Sequence, residues 1–96
     1  MKIISKPRGM GKTTQAIRLS SRSGATIVAG SEHQVEAIVK RAEAIGCRIP
    51  KPLTVGQFLL GRGRGTNGGF ILDGLEDLLS HVAPGMEVKA ITVDQL

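Results

Sequence analysis

Five consecutive residues, Gly9-Met10-Gly11-Lys12-Thr13, have the types and the spacing to hold phosphate. Glycines let successive backbone N–H groups converge on an anion. A helix opening at Lys12 would add its N-terminal amides and its positive dipole end. Lys12 is then expected to reach the β- and γ-phosphates of a nucleotide, and the Thr13 hydroxyl to hold Mg²⁺. The plain alternative is a glycine-rich turn with an incidental lysine. A Gly-x-Gly-Lys-[Ser/Thr] string arises by chance in so short a chain with a probability on the order of 1%. The need for a strand before it and a helix after it lowers that further.

The flanking residues supply both elements. Lys2-Ile3-Ile4-Ser5 reads as a short strand with β-branched residues at its centre. Pro7, Gly9 and Gly11 keep residues 6–11 out of regular structure. A helix is predicted from Lys12 to about Arg22, with Ala16, Ile17 and Leu19 facing inward, and Ser23-Gly24 end it. Ala25 to Ala29 is an apolar run of the kind found in buried parallel strands. Ser31 and Gln34 have the spacing of a capping box. Val35, Ile38, Val39, Ala42 and Ile45 follow at helical intervals, and Gly46 is the expected left-handed stop.

Pro50 and Pro52 forbid a helix in the next stretch. Leu53-Thr54-Val55 reads either as a short strand or as loop, with Thr54 also placed to cap a short helix through Leu60. Residues 61–69 hold five glycines in nine and are expected to be a mobile loop. Phe70 to Asp73 is an apolar strand ending in an acid. Leu75, Leu78, Leu79 and Val82 mark a helix to about residue 83, and Glu87 to Val93 a last strand. Strands alternating with helical crossovers predict an α/β fold, with a parallel sheet of about four strands and helices on both faces.

Composition bounds the rest. At 96 residues the chain is expected to form one domain, residues 1–96. No run of eighteen apolar residues suggests a membrane span, and the apolar part of the N-terminus is too short for a signal peptide. One cysteine, Cys47, makes no internal disulfide and suits a reducing cytoplasm. Two histidines far from that cysteine offer no structural zinc spacing. Charge is uneven: residues 1–64 carry 12 Lys/Arg against 3 Asp/Glu, residues 65–96 carry 1 against 5. A basic front half points to a polyanion partner, nucleotide or nucleic acid. With only Phe58 and Phe70 as aromatics, base stacking on aromatic platforms is excluded as its means.

The stretch Lys6-Pro7-Arg8-Gly9-Met10-Gly11-Lys12-Thr13-Thr14 resembles the Walker A loop of P-loop NTPases. The family's first glycine is Lys6 here; the last glycine, the lysine and the threonine match. The resemblance implies that residues 8–14 bind an ATP-type nucleotide with Mg²⁺. Phe70-Ile71-Leu72-Asp73 resembles the Walker B strand, which implies Asp73 as partner of Thr13 in steadying the metal. The hydrolytic branch usually has Glu after that Asp. Gly74 stands there, which leaves Glu76, one turn on, either to orient water beside Lys12 or to point to solvent from its helix, with slow turnover expected. RecA-like and helicase-like members have a strand after Walker B that lies between the two Walker strands and ends in a polar γ-phosphate sensor. Thr92 or Asp94 matches by position. The chain is most similar in outline to small ATPases encoded by bacteriophages, which implies a cytoplasmic protein, in the host cytoplasm if phage-encoded. No guanine-reading Asn-Lys-x-Asp occurs, which favours ATP.

Arg62 and Arg64, in the glycine loop, are candidates for nucleic-acid phosphate contacts or for an arginine finger reaching a neighbouring subunit. The alternative function is accordingly a non-enzymatic, basic nucleic-acid-binding module whose loop holds a structural phosphate or nucleotide. A nucleoside kinase fits poorly, because Lys89 is the only basic residue after Asp73. Counting four strands in the family's order leaves the Lys12 helix alone on its face of the sheet, so a homo-oligomer is expected.

Overall fold

A computed structural model describes residues 2–6, 11–61, 68–74 and 88–94. The candidates Arg8, Gly9, Met10, Arg62, Arg64 and Glu76, and the helix expected over 75–83, lie outside the described residues. The elements are β1 (Lys2–Lys6), α1 (Lys12–Ser23), β2 (Thr26–Ala29), α2 (Glu32–Ala44), β3 (Leu53–Thr54), α3 (Val55–Leu59), β4 (Phe70–Asp73) and β5 (Val88–Asp94). The strands form an all-parallel sheet in the order β1-β5-β4-β2-β3, with helices packed against it. It is an α/β fold. β5 lies between β1 and β4, as expected for the strand that follows the acid-tipped one.

Local chemistry sets the helix ends. Gly24 and Gly46, both with φ near +75°, close α1 and α2 in the left-handed conformation that a Cβ disfavours. After α2 the N–H of Cys47 donates to the Ala42 carbonyl at 2.9 Å, the wrap that satisfies the last orphan carbonyls. At its start the Gln34 N–H donates to Ser31 Oγ, but Gln34 Oε1 accepts from Gly30 rather than from Ser31, so the box reaches back one residue further than expected. Thr54 and Gln57 make the full reciprocal box, and α3 is the short helix that Thr54 was placed to cap.

Alternation along each strand divides the core into two layers. Ile27, Ala29, Ile71 and Ala90 face Ala16 and Ile17 of α1 together with Val35, Ile38 and Ala42 of α2. Val28, Phe70, Leu72 and Ile91 face the other way, toward Phe58 of α3. There the Phe58 and Phe70 rings meet edge to face, with centroids 5.0 Å apart. Complete burial of side chains such as Ile17, Ile27, Leu72 and Phe58 contributes about 1.5–3 kcal/mol each.

The expectation that α1 lies alone on its face is wrong, and two residues explain why. β3 is a strand rather than loop, and it adds outside β2. The chain therefore crosses the sheet in the same sense twice, β1 to β2 and β2 to β3. Right-handed crossovers then put α1 and α2 on one face. The argument for self-association from a bare α1 face falls with that premise.

The glycine-rich stretch is also not all tether. At its end, Gly69 is buried and its carbonyl accepts from the Thr26 N–H at 2.9 Å. Gly68 lies so close to the chain at Gly24–Ala25 that an added Cβ would overlap the Gly24 carbonyl.

Candidate phosphate and metal site

Parallel strands place all their carboxyl ends on one edge of the sheet, where α/β folds bind ligands. β1 leads toward α1 from that edge, and β4 ends there in Asp73. Gly11 precedes the first helical residue at φ 89°, with open space where a Cβ would stand. Its glycine is therefore required by the backbone angle and not by crowding. The first intrahelical bond runs from the Gln15 N–H to the Gly11 carbonyl at 3.0 Å. The N–H groups of Lys12, Thr13 and Thr14 thus belong to the first turn, where the helix itself offers no acceptor. Gly11 offers no side-chain cap and no acidic residue occupies the first turn, so the positive end is not neutralised by the helix itself.

Thr13 Oγ1 lies 3.4 Å from Asp73 Oδ2, a contact between residues 60 apart in the chain. The other carboxylate oxygen is fixed from the neighbouring strand. Asp73 and Thr92 are register partners on β4 and β5. Thr92 Oγ1 donates to Asp73 Oδ1 at 2.6 Å and accepts from the Gly74 N–H at 2.6 Å. Thr92 is fully buried, so this hydroxyl is a satisfied core group that holds the carboxylate in one orientation. Gly74 itself sits at φ 71°, a turn that glycine makes at little cost directly after the acid. Asp94 closes β5 opposite Lys6 of β1.

One further residue borders this site that no motif indicated. Arg41, in the last turns of α2, donates from Nη1 to Thr14 Oγ1 at 3.3 Å. Helical side chains lean toward the N-terminus of their helix, which carries Arg41 up toward the start of α1. It walls two adjoining cavities. One, of about 150 Å³, is bounded by Gly11, Lys12, Thr13 and Thr14. The other, of about 240 Å³, is bounded by Thr13 and Asp73 on one side and by Gln34, Ala37, Ile38 and Arg41 of α2 on the other. The signal available in sequence was the spacing 34-37-38-41, one face of a helix. It carries no chemistry until α2 is known to share a face with α1.

A larger cavity of about 510 Å³ lies away from the strand ends, between α2 and residues 47–52. Its walls include Val39, Ala42, Ile49 and Pro52, and the half-buried Cys47 packs there against the α1–α2 core layer. Among the described residues no cluster of three His, Cys, Asp or Glu side chains could by itself hold a metal ion, and no helix is long and apolar enough to cross a membrane. Comparison of the chain with protein-family models, with curated proteins and with solved structures finds no match.

Proposed function

We propose that this chain binds ATP with Mg²⁺ at the start of α1 and hydrolyses it slowly, as a P-loop NTPase of the RecA-like or helicase-like kind similar to small bacteriophage ATPases. The observation that carries the reading is the meeting of Thr13 with Asp73 at the carboxyl edge of the sheet. Two segments singled out separately, for a hydroxyl and for a carboxylate, converge within hydrogen-bonding distance. The position of β5 between β1 and β4 supports the same branch.

The donor set suits Mg²⁺. A hydroxyl and one carboxylate are hard oxygen ligands, and Mg²⁺ usually takes only one or two protein oxygens, with water and phosphate completing its shell. When bound, the ion neutralises charge on the β- and γ-phosphate oxygens. In this reading the first-turn N–H groups of α1 hold the phosphate oxygens, and Lys12 stabilises charge on the transferred phosphoryl group. Thr92 keeps one Asp73 oxygen turned inward, so that the other faces Thr13. Water attack at the γ-phosphorus breaks the bond to the β–γ bridging oxygen and yields ADP and phosphate. Glu76 is the carboxylate assigned to orient that water.

The test is calorimetric titration with ATP and a non-hydrolysable analogue, with and without Mg²⁺, alongside phosphate release. Lys12→Ala is expected to weaken binding at least tenfold, which is about 1.4 kcal/mol, with the fold retained. Equal affinity in the variant and the wild type would remove the reading.

A further inference from the structure

We propose that Arg41 contacts the terminal phosphate of the bound nucleotide from the α2 side, within the same chain, and so makes the site prefer a triphosphate to a diphosphate. The inference rests on the nucleotide reading given above and adds to it a residue and a specificity.

Three observations carry it. Arg41 is common to the walls of both cavities, the one at the start of α1 and the one beside Asp73. If Thr13 and Asp73 together hold the metal that neutralises the terminal phosphates, the terminal phosphate would lie between the start of α1 and Asp73. Arg41 lines the far wall of that space. The only hydrogen bond of its side chain among the described residues is the 3.3 Å bond to Thr14 Oγ1, a neutral acceptor. A guanidinium has five N–H donors in a planar fork, and it bonds phosphate in charge-assisted pairs that are stronger than a single bond to a hydroxyl. Arg41 is also exposed on α2, so the side chain can exchange Thr14 for phosphate without unpacking the core.

The described side chains around the two cavities include one carboxylate, Asp73, and two cations, Lys12 and Arg41. A diphosphate that stops short of the Asp73 cavity would meet Arg41 only at the wall it shares with the start of α1.

The discriminating quantity is the ratio of affinities for a non-hydrolysable ATP analogue and for ADP, measured with Mg²⁺ by calorimetry. The proteins compared are wild type, Arg41→Ala, Arg41→Lys and Lys12→Ala. Arg41→Ala is expected to weaken analogue binding at least tenfold while ADP binding stays within twofold, and Arg41→Lys to restore part of the difference. Lys12→Ala should weaken both ligands. If Arg41→Ala changes neither ligand, or weakens both equally, the proposal is overturned while the nucleotide reading stands. If wild type binds neither ligand, or Lys12→Ala binds as wild type does, the nucleotide reading fails and this proposal with it. Circular dichroism of each variant separates these outcomes from loss of fold.

Discussion

Thr92 and Asp73 face each other across two adjacent parallel strands, and the buried threonine hydroxyl bonds both the aspartate carboxylate and the peptide N–H that follows it, each at 2.6 Å. One side chain thus fixes the carboxylate and the turn that leads away from it. A hydroxyl engaged in this way orients Asp73, whatever else lies at the end of β5.

Thr92→Val keeps the shape but deletes the hydroxyl. It leaves a carboxylate oxygen and the Gly74 N–H without their partner, at a cost of about 1–3 kcal/mol for a buried unsatisfied group. Urea unfolding should show that loss, and Thr92→Ser should recover most of it. Under the proposed function Thr92→Val should also raise the Mg²⁺ concentration needed for ATP binding. An unchanged Mg²⁺ requirement would limit Thr92 to a structural role.

Turnover is expected to be low because Gly74 follows Asp73 where hydrolytic relatives of the proposed kind carry Glu. Phosphate release should fall well below the ~1–100 s⁻¹ typical of protein kinases. Glu76→Gln should lower it further without changing ATP affinity. A rate equal to wild type would show that Glu76 does not orient water.

Two glycines should respond in opposite directions to alanine. At Gly68 the new Cβ would overlap the Gly24 carbonyl and stand 2.6 Å from the Ala25 nitrogen, both backbone atoms that no rotamer change can move. Gly68→Ala is therefore expected to destabilise by about 1–3 kcal/mol or more, as overpacking does. At Gly56, inside α3, the nearest atom to a Cβ is Thr54 Oγ1 at 3.9 Å. Gly56→Ala should stabilise by up to ~1 kcal/mol through helix propensity. Denaturant midpoints of the two variants check the pair, and the same sign for both would contradict this account.

The basic front half and the two loop arginines are tested by salt. If Arg62 and Arg64 bind nucleic-acid phosphates, affinity for DNA or RNA should drop steeply between low and moderate salt. Replacing both with alanine should flatten that slope. No binding at low salt would dispose of the nucleic-acid role.

Much of the architecture was legible because it is written in local patterns. Ser31 and Thr54 announced their helices by cap chemistry, and the unbroken apolar run Phe70–Leu72 gave a strand buried on both sides. The pairing of Thr13 with Asp73 could be anticipated because both residues belong to short strings that resemble a known pair of motifs. Three features could not be read this way. β3 is two residues long, below the length at which periodicity has meaning, yet it decides the face taken by α2. Arg41 meets Thr14 across 27 residues of chain with no motif to link them. Gly68 looked like one more residue of a flexible tract, and only its closeness to the backbone at Gly24 shows why a side chain is not tolerated there.

The strand order also has a kinetic corollary. β1 stands at the rim of the sheet, and its one neighbour there is β5, which pairs Lys2 with Ala90 and Lys6 with Asp94. During synthesis β1 must therefore wait for β5 before it can pair with its neighbour among the described strands. Closing so long a loop carries an entropic penalty that other contacts must offset, and contacts distant in sequence slow folding. β2 and β4 lie closer in the chain than β1 and β5 and can pair sooner. A nascent chain stalled before residue 88 would hold Asp73 in a partial sheet, while β1, the strand that leads toward α1, remained unanchored.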